Sequence, residues 1–166
     1  MIIRQATPAD ADQMVGLLNT IIAAGGTTAH QTPFDRARMT AHYIAAPTQI
    51  CCHVADDRGT VLGFQHLDGP DPAQGGTEGW GYIASFVQTA AAGRGIGQKL
   101  FAATLDQARL VGLRHINATI RADNTVGLRY YRGLGFRDID IRRAVPLRDG
   151  TLVDRVVTAF DLATAR

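Results

Sequence analysis

The sequence predicts an α/β (α+β) fold: a mixed, mostly antiparallel sheet of seven strands with helices on its faces. Three observations carry this. Seven short apolar or alternating runs read as strands, and four stretches show helical spacing. One strand–helix–strand unit, near residues 80–120, is a crossover, which makes its two strands parallel. The remaining strands follow one another in a meander, the antiparallel arrangement. The 166 residues suffice for one domain, 1–166, with a real core.

Ile2 to Gln5 is the first strand. Thr7-Pro8-Ala9-Asp10 is a helix start: a capping hydroxyl, a proline at the first helical position and a carboxylate in the first turn. Met14, Leu17, Leu18, Ile21 and Ile22 then form one apolar face, and Gly25-Gly26 ends the helix. Thr32-Pro33-Phe34-Asp35 repeats the start signal for a helix that runs to Pro47. Residues 50–55 and 60–67 are strands joined by the turn Asp56-Asp57-Arg58-Gly59. Residues 69–79 form a loop rich in Gly, Pro, Asp and Gln. A strand from Trp80 to Val87 leads through a glycine turn into a helix that ends at Gly112. His115 to Ile120 is a strand. Asp123 to Leu134 is a helix capped by Asp123 or Asn124. Phe136 to Val145 and Leu152 to Leu162 close the fold as an antiparallel pair around Arg148-Asp149-Gly150.

Composition narrows the functional classes. A net charge of +2, with no basic cluster, gives no footprint for nucleic acid. No apolar stretch reaches membrane-spanning length, and Met1-Ile2-Ile3-Arg4 lacks the form of a signal peptide. Cys51 and Cys52 are adjacent strand residues that point to opposite faces. They are expected to be small core residues of a reduced, cytoplasmic protein. No histidine pair has the helical spacing of a metal site, so no metal is expected.

The most informative stretch is Gly93-Arg94-Gly95-Ile96-Gly97, where the strand pattern gives way to the helix pattern. Glycines let backbone approach an anion, and a helix N-terminus offers unpaired N–H groups and positive charge. The turn therefore predicts a phosphate-bearing ligand. Two known phosphate motifs do not fit. A P-loop needs four residues between its glycines and then Lys-Ser/Thr. A dinucleotide fold needs Gly-x-Gly-x-x-Gly and a carboxylate about twenty positions on, and residues 113–120 hold none.

The turn resembles motif A of the GNAT (GCN5-related N-acetyltransferase) superfamily, Gln/Arg-x-x-Gly-x-Gly/Ala, laid on Ala92-Gly93-Arg94-Gly95-Ile96-Gly97. Ala92 departs from the usual Gln or Arg, and Arg94 is a candidate to supply the missing charge. A second stretch, Asn124 to Phe136, resembles the family's later motif, Asn-x-x-Ala-x-x-Leu/Phe-Tyr-x-x-x-Gly-Phe. Gly127 stands for Ala and Tyr130 for Leu or Phe. The two motifs and the elements around them span the chain. The resemblance implies the GNAT fold, with helices on both faces of the sheet and the central parallel pair splayed apart. It implies that residues 92–97 bind the pyrophosphate of acetyl-CoA, that Ser85, Phe86 and Val87 pair with its pantetheine arm, and that Asn124 contacts that arm. Tyr131 matches the tyrosine placed near the cofactor sulfur and is the expected acid for the departing thiolate. Alone, it would read as a tyrosine packing a helix on the sheet.

The character is closest to phosphinothricin and amino-acid N-acetyltransferases, which implies a small-molecule primary amine as acceptor. Those members carry a glutamate on the strand before the turn, where this chain has Tyr82. Glu78 is the nearest carboxylate and the candidate general base, with water as the alternative. The stretch 25–32 matches one wall of the acceptor pocket, so Thr28 and His30 are candidate substrate contacts, with Trp80. Acetylation of a protein N-terminus or lysine, and a non-catalytic acyl-CoA-binding module, are the rival readings. Homodimers are common in the family, and Val153 to Phe160 is the candidate pairing strand.

Overall fold

The structure, a computed structural model, describes residues 1–164, Gln74 by its backbone only. Its strands are β1 (Ile2–Gln5), β2 (Gln49–Asp57), β3 (Thr60–Asp68), β4 (Trp80–Val87), β5 (His115–Arg121), β6 (Arg137–Pro146) and β7 (Leu152–Asp161). They form one sheet in the order β1-β2-β3-β4-β5-β7-β6. Among these pairs only β4–β5 is parallel. The helices are α1 (Ala11–Ala24), α2 (Arg36–Met39, continued by a π-helical turn Thr40–Ile44), α3 (Ile96–Leu110) and α4 (Thr125–Gly133).

Strand alternation divides the core into two layers. On one face Met14 and Leu18 of α1 and Met39 and Tyr43 of the second helix pack on Cys52, Val54 and Phe64. On the other, Phe101 of α3 and Leu128 and Tyr131 of α4 pack on Ile116, Ala118, Val156 and Phe160. Cys51 joins this second layer, so the adjacent cysteines do face opposite sides, both buried and unbridged. Burial raises both thiols above their ordinary pKa, Cys51 to about 11.

Local chemistry fixes the element ends, with two departures from expectation. Pro8–Asp10 forms a 3-10 turn, and α1 follows it. The Asp10 carboxylate accepts from the Thr7 N–H at 2.8 Å and from Arg4 at 2.7 Å. The Arg4 hydrogen bonds outweigh burial and hold its pKa down to about 2. The cap of α2 is Asp35, which accepts from the Arg38 N–H, and not Thr32. The main chain at Phe34 is held outside the helix by Asn19, whose amide bonds both its N–H and its C=O. The β2–β3 turn needs a positive φ at Arg58 and Gly59, the twist that suits a hairpin. The Asn124 side chain caps α4, accepting from the Gly127 N–H at 2.8 Å.

One expectation about assembly is corrected. β7 pairs with β5 on one side and β6 on the other. Its ladder groups are used within the sheet, so residues 153–160 cannot pair with another chain. β6 is the edge strand there.

Candidate active site

The parallel pair is short. β4 and β5 are in register only at Trp80–His115, Gly81–Ile116 and Tyr82–Asn117. Beyond Tyr82 the strands part, while β4 stays paired with β3 through Val87. The Gln88 N–H donates to Leu62 O at 2.9 Å. Alternation along an antiparallel ladder then turns Phe86 and Ala84 toward β3, and Val87, Ser85 and Ile83 toward the gap. This splayed edge offers unpaired N–H and C=O groups to an extended ligand.

The glycine turn follows directly. Gly93 and Gly95 have φ of 77° and 71°, the left-handed region that favours glycine. Gly95 is the N-cap of α3, and the first bond back to it is the Lys99 N–H on Gly95 O. The amides of Ile96, Gly97 and Gln98 precede that bond and have no intrahelical acceptor. Nothing lies within 4 Å of where a Cβ on Gly93 would sit, so this face is open. The turn and the splayed edge thus fit the pyrophosphate and the amide-bearing arm of a coenzyme A thioester. Ala92 is exposed and offers no charge. The Arg94 guanidinium stands 3.6 Å from Asp57, on the exposed surface, which offsets much of what it could offer an anion.

Gly97 serves a different purpose from the other two. A Cβ there would come within 2.6 Å of the Tyr130 ring. The Tyr130 hydroxyl donates to Gly97 O at 2.9 Å, locking α4 onto the first turn of α3. Tyr130 is therefore more than a size change from leucine, because it ties the two motifs together.

Tyr131 sits on the same helix with its ring buried against Phe136. Its hydroxyl lies 2.9 Å from Ser85 Oγ, on the splayed strand. Gln65 Nε2 donates to Ser85 Oγ at 2.8 Å and to the Tyr130 hydroxyl at 3.2 Å. Burial pushes the Tyr131 phenol above its ordinary pKa, against the opposing Ser85 hydrogen bond. It stays protonated at neutral pH, a donor at the edge of the gap.

A cavity of about 210 Å³ joins this donor to the acceptor side. Thr28, His30 and Tyr43 line one wall, Ser85, Phe86 and Tyr131 another, and Arg121 and Arg155 a third. No Asp or Glu lines it. His30 Nε2 lies 2.7 Å from the Tyr43 hydroxyl. Burial, then the charges of His42 and Arg38, lowers its pKa to about 4, so the ring is neutral. The Tyr43 phenol, its own pKa raised by burial, stays protonated, and its hydrogen bond occupies Nε2. Asn124 lines the cavity too, but its Nδ2 donates to Thr27 O at 2.8 Å while its Oδ1 caps α4. It fastens the acceptor loop to α4. A second cavity shares Thr28, His30 and Arg121 and runs toward the β6–β7 turn. There Arg148 donates to Thr32 Oγ1 at 2.8 Å.

Two expected site residues lie elsewhere. Trp80 starts β4 five residues before Ser85, about 17 Å along an extended strand. It stacks on His115 with ring centroids 4.6 Å apart. Glu78 is further back, exposed, in the loop. Its backbone carbonyl accepts from Arg114. Neither Glu78 nor Trp80 lines the cavity beside Tyr131. Phe34 is core, edge-on to His30 at 5.0 Å.

Gln65, Tyr43, Arg121 and Arg155 were not foreseen, and Ser85 was expected only as strand backbone beside the cofactor arm. Each had a faint signal as a polar residue inside an apolar strand or helix face, but which partners it meets depends on the fold. Among the described residues no group of three or more His, Cys, Asp or Glu could hold a metal. No helix is long and apolar enough to cross a membrane.

Residues 19–136 match the Acetyltransferase (GNAT) family, and this chain belongs to that family of N-acetyltransferases. It is 31% identical over 138 residues to the L-methionine sulfoximine/L-methionine sulfone acetyltransferase of Pseudomonas paraeruginosa, covering 81% of this chain and 78% of that one. An N-acetyltransferase structure from Staphylococcus aureus Mu50 superposes with a TM-score of 0.85 at 21% identity, over 97% of this chain and 98% of that one. A phosphinothricin acetyltransferase from Sinorhizobium meliloti, crystallised with AcCoA, has a TM-score of 0.83 at 22% identity, over 96% and 87%. The two structures share this fold: a seven-stranded mixed sheet opened at its one parallel pair.

Proposed function

We propose that this chain transfers the acetyl group of acetyl-CoA to the primary amine of a small amino acid or analogue. The observation that carries this reading is the Tyr131 hydroxyl, buried and protonated, held against Ser85 on the splayed strand that leads into the glycine turn. Acetyl-CoA would supply an activated acyl group and a thiolate leaving group. The free amides at the start of α3 hold the pyrophosphate. The Val87 N–H, turned into the gap, polarises the thioester carbonyl. Tyr131 donates a hydrogen bond, and then a proton, to the departing sulfur; the proton lost by the acylated nitrogen restores the phenol, which Ser85 keeps oriented.

The acceptor amine must arrive neutral. With no carboxylate lining the cavity and the His30 ring held to a pKa of about 4, its proton passes to water. The cationic Arg121 and Arg155 beside it depress the pKa of an ammonium and raise the fraction of free amine. The relatives named for L-methionine sulfoximine and sulfone support an amino-acid analogue as acceptor. The small cavity supports the same choice over a protein chain.

The test is thiol release from acetyl-CoA with a panel of amino acids, L-methionine sulfone, polyamines and an N-terminal peptide. Turnover with an amino-acid analogue is expected. Turnover of the peptide alone would move the acceptor to protein. Coenzyme A binding without turnover of any amine would leave a binding module. Two finer expectations accompany this reading. Unbridged, buried cysteines fit a reducing, cytoplasmic setting. Edge strand β6 exposes Ile139 and Ile141, the candidate contact of a homodimer, which sedimentation would test.

A further inference from the structure

Arg155 stands out among the arginines of this chain by its surroundings. It lies in β7, directly opposite Arg121 of β5 on one side and Arg142 of β6 on the other. Like charges placed opposite one another across a sheet destabilise it, so this row needs a reason. Arg121 is internally satisfied: its guanidinium donates to both Asp123 oxygens at 2.6 and 2.9 Å, and to Thr28 O at 3.3 Å. Arg155 is half-buried, and its Nε is buried with no hydrogen-bond partner. A charged donor left so is costly unless something fills it. Both side chains line the cavity that Tyr131 and Ser85 close from the other side.

We propose that Arg155, backed by the charge of Arg121, is an anion subsite that receives the carboxylate of the acceptor. A planar guanidinium matches a carboxylate in a paired hydrogen-bonding geometry. No acidic residue lines the cavity, and the buried Arg155 Nε is left without a partner until an anion enters. A carboxylate held there puts an α-amine, one carbon away, into the same cavity as Tyr131. The subsite therefore selects α-amino acids and their analogues over simple amines and polyamines. The pyrophosphate is a poor alternative occupant, because the glycine turn that suits it does not line this cavity.

This inference rests on the acetyl-transfer reading, and the experiment separates the two. L-Methionine sulfone and its carboxamide share side chain and α-amine; the amide's ammonium is the more acidic, so rates are compared per free amine. Wild-type enzyme is expected to prefer the acid by about 10- to 100-fold in kcat/KM. Arg155→Met keeps the apolar stem and removes the charge. It should lose most of that preference, chiefly through a higher KM for the acid, while KM for acetyl-CoA stays within about twofold. Arg155→Lys, a second variant in case the first folds poorly, should retain part of the preference. Equal use of acid and amide by the wild type, or an undiminished preference in Arg155→Met, would overturn the subsite and leave acetyl transfer standing. A wild-type protein that binds coenzyme A and acetylates neither compound would overturn acetyl transfer itself, and the subsite with it.

Discussion

On the side proposed for the cofactor the groups on offer are main chain: the amides of Ile96, Gly97 and Gln98 beyond the cavity and the open edge of β4. At the acceptor side they are side chains from stretches far apart in sequence, namely Thr28 and His30 before α2, Arg121 at the end of β5 and Arg155 in β7. The difference follows from the ligands. A pyrophosphate and a chain of amides are recognised by geometry and dipoles, which backbone supplies whatever the side chains are. An acceptor is told from its competitors by shape and charge, which only side chains supply. A backbone site is insensitive to substitution except where a Cβ intrudes. A side-chain site can be respecified one residue at a time.

Four measurements would break or sharpen that contrast. The largest effect is expected where the two halves meet. Tyr131→Phe removes one hydroxyl, and kcat should fall by about 10- to 1,000-fold, with KM for acetyl-CoA little changed. A wild-type kcat in this variant would return Tyr131 to a packing role.

The second measurement concerns glycines that look alike in sequence. At Gly93 a side chain has room, so Gly93→Glu should act by placing negative charge at the anion site. Coenzyme A binding by calorimetry should weaken by at least about tenfold. At Gly97 a Cβ meets Tyr130, so Gly97→Ala should act on the fold, costing about 1–3 kcal/mol in urea unfolding. Equal effects of both substitutions on cofactor affinity would mean that the turn does not divide its labour this way.

The third measurement is a pH profile of stability. His30 has a pKa of about 4 in the fold against 6.5 ordinarily, so between those values the unfolded chain binds the proton first. Its contribution is complete above pH 6.5 and is lost as pH falls toward 4. The pKa values of His42, His53 and His66 are lowered as well. His30→Gln should therefore flatten only part of the acid-side loss in urea midpoint. An unchanged profile would show that His30 is not buried as described.

The smallest effect is expected at Glu78. Glu78→Gln should leave kcat/KM for the amine within about twofold and the pH–rate profile in place. A tenfold drop would bring that loop into the acceptor site.

Much of this was legible in the chain itself. The strand of residues 80–87 and the helix that ends before Gly112 were readable because their apolar spacing is local and strong. The glycine turn was readable because positive φ leaves a compositional trace. Asn124 was readable as a cap, and in the structure that is its main work. Thr32-Pro33 misled, because the cap moved three residues on when Asn19 claimed the main chain at Phe34. The strand of residues 153–160 misled too, since apolar composition does not say whether a strand lies at an edge or inside a sheet.

What the sequence by itself determined was the order of elements, the one parallel crossover and the open glycine turn at the start of α3. All three depend on periodicity and on glycine, which act over a few residues. Only the tertiary structure decided where β4 and β5 part, which hydroxyls meet at Ser85, that Glu78 stays in an exposed loop outside the cavity lining, and that Arg155 faces Arg121. Those depend on register and on contacts between residues tens of positions apart. Such contacts are set by how two core layers pack on one twisted sheet, and no local pattern records them.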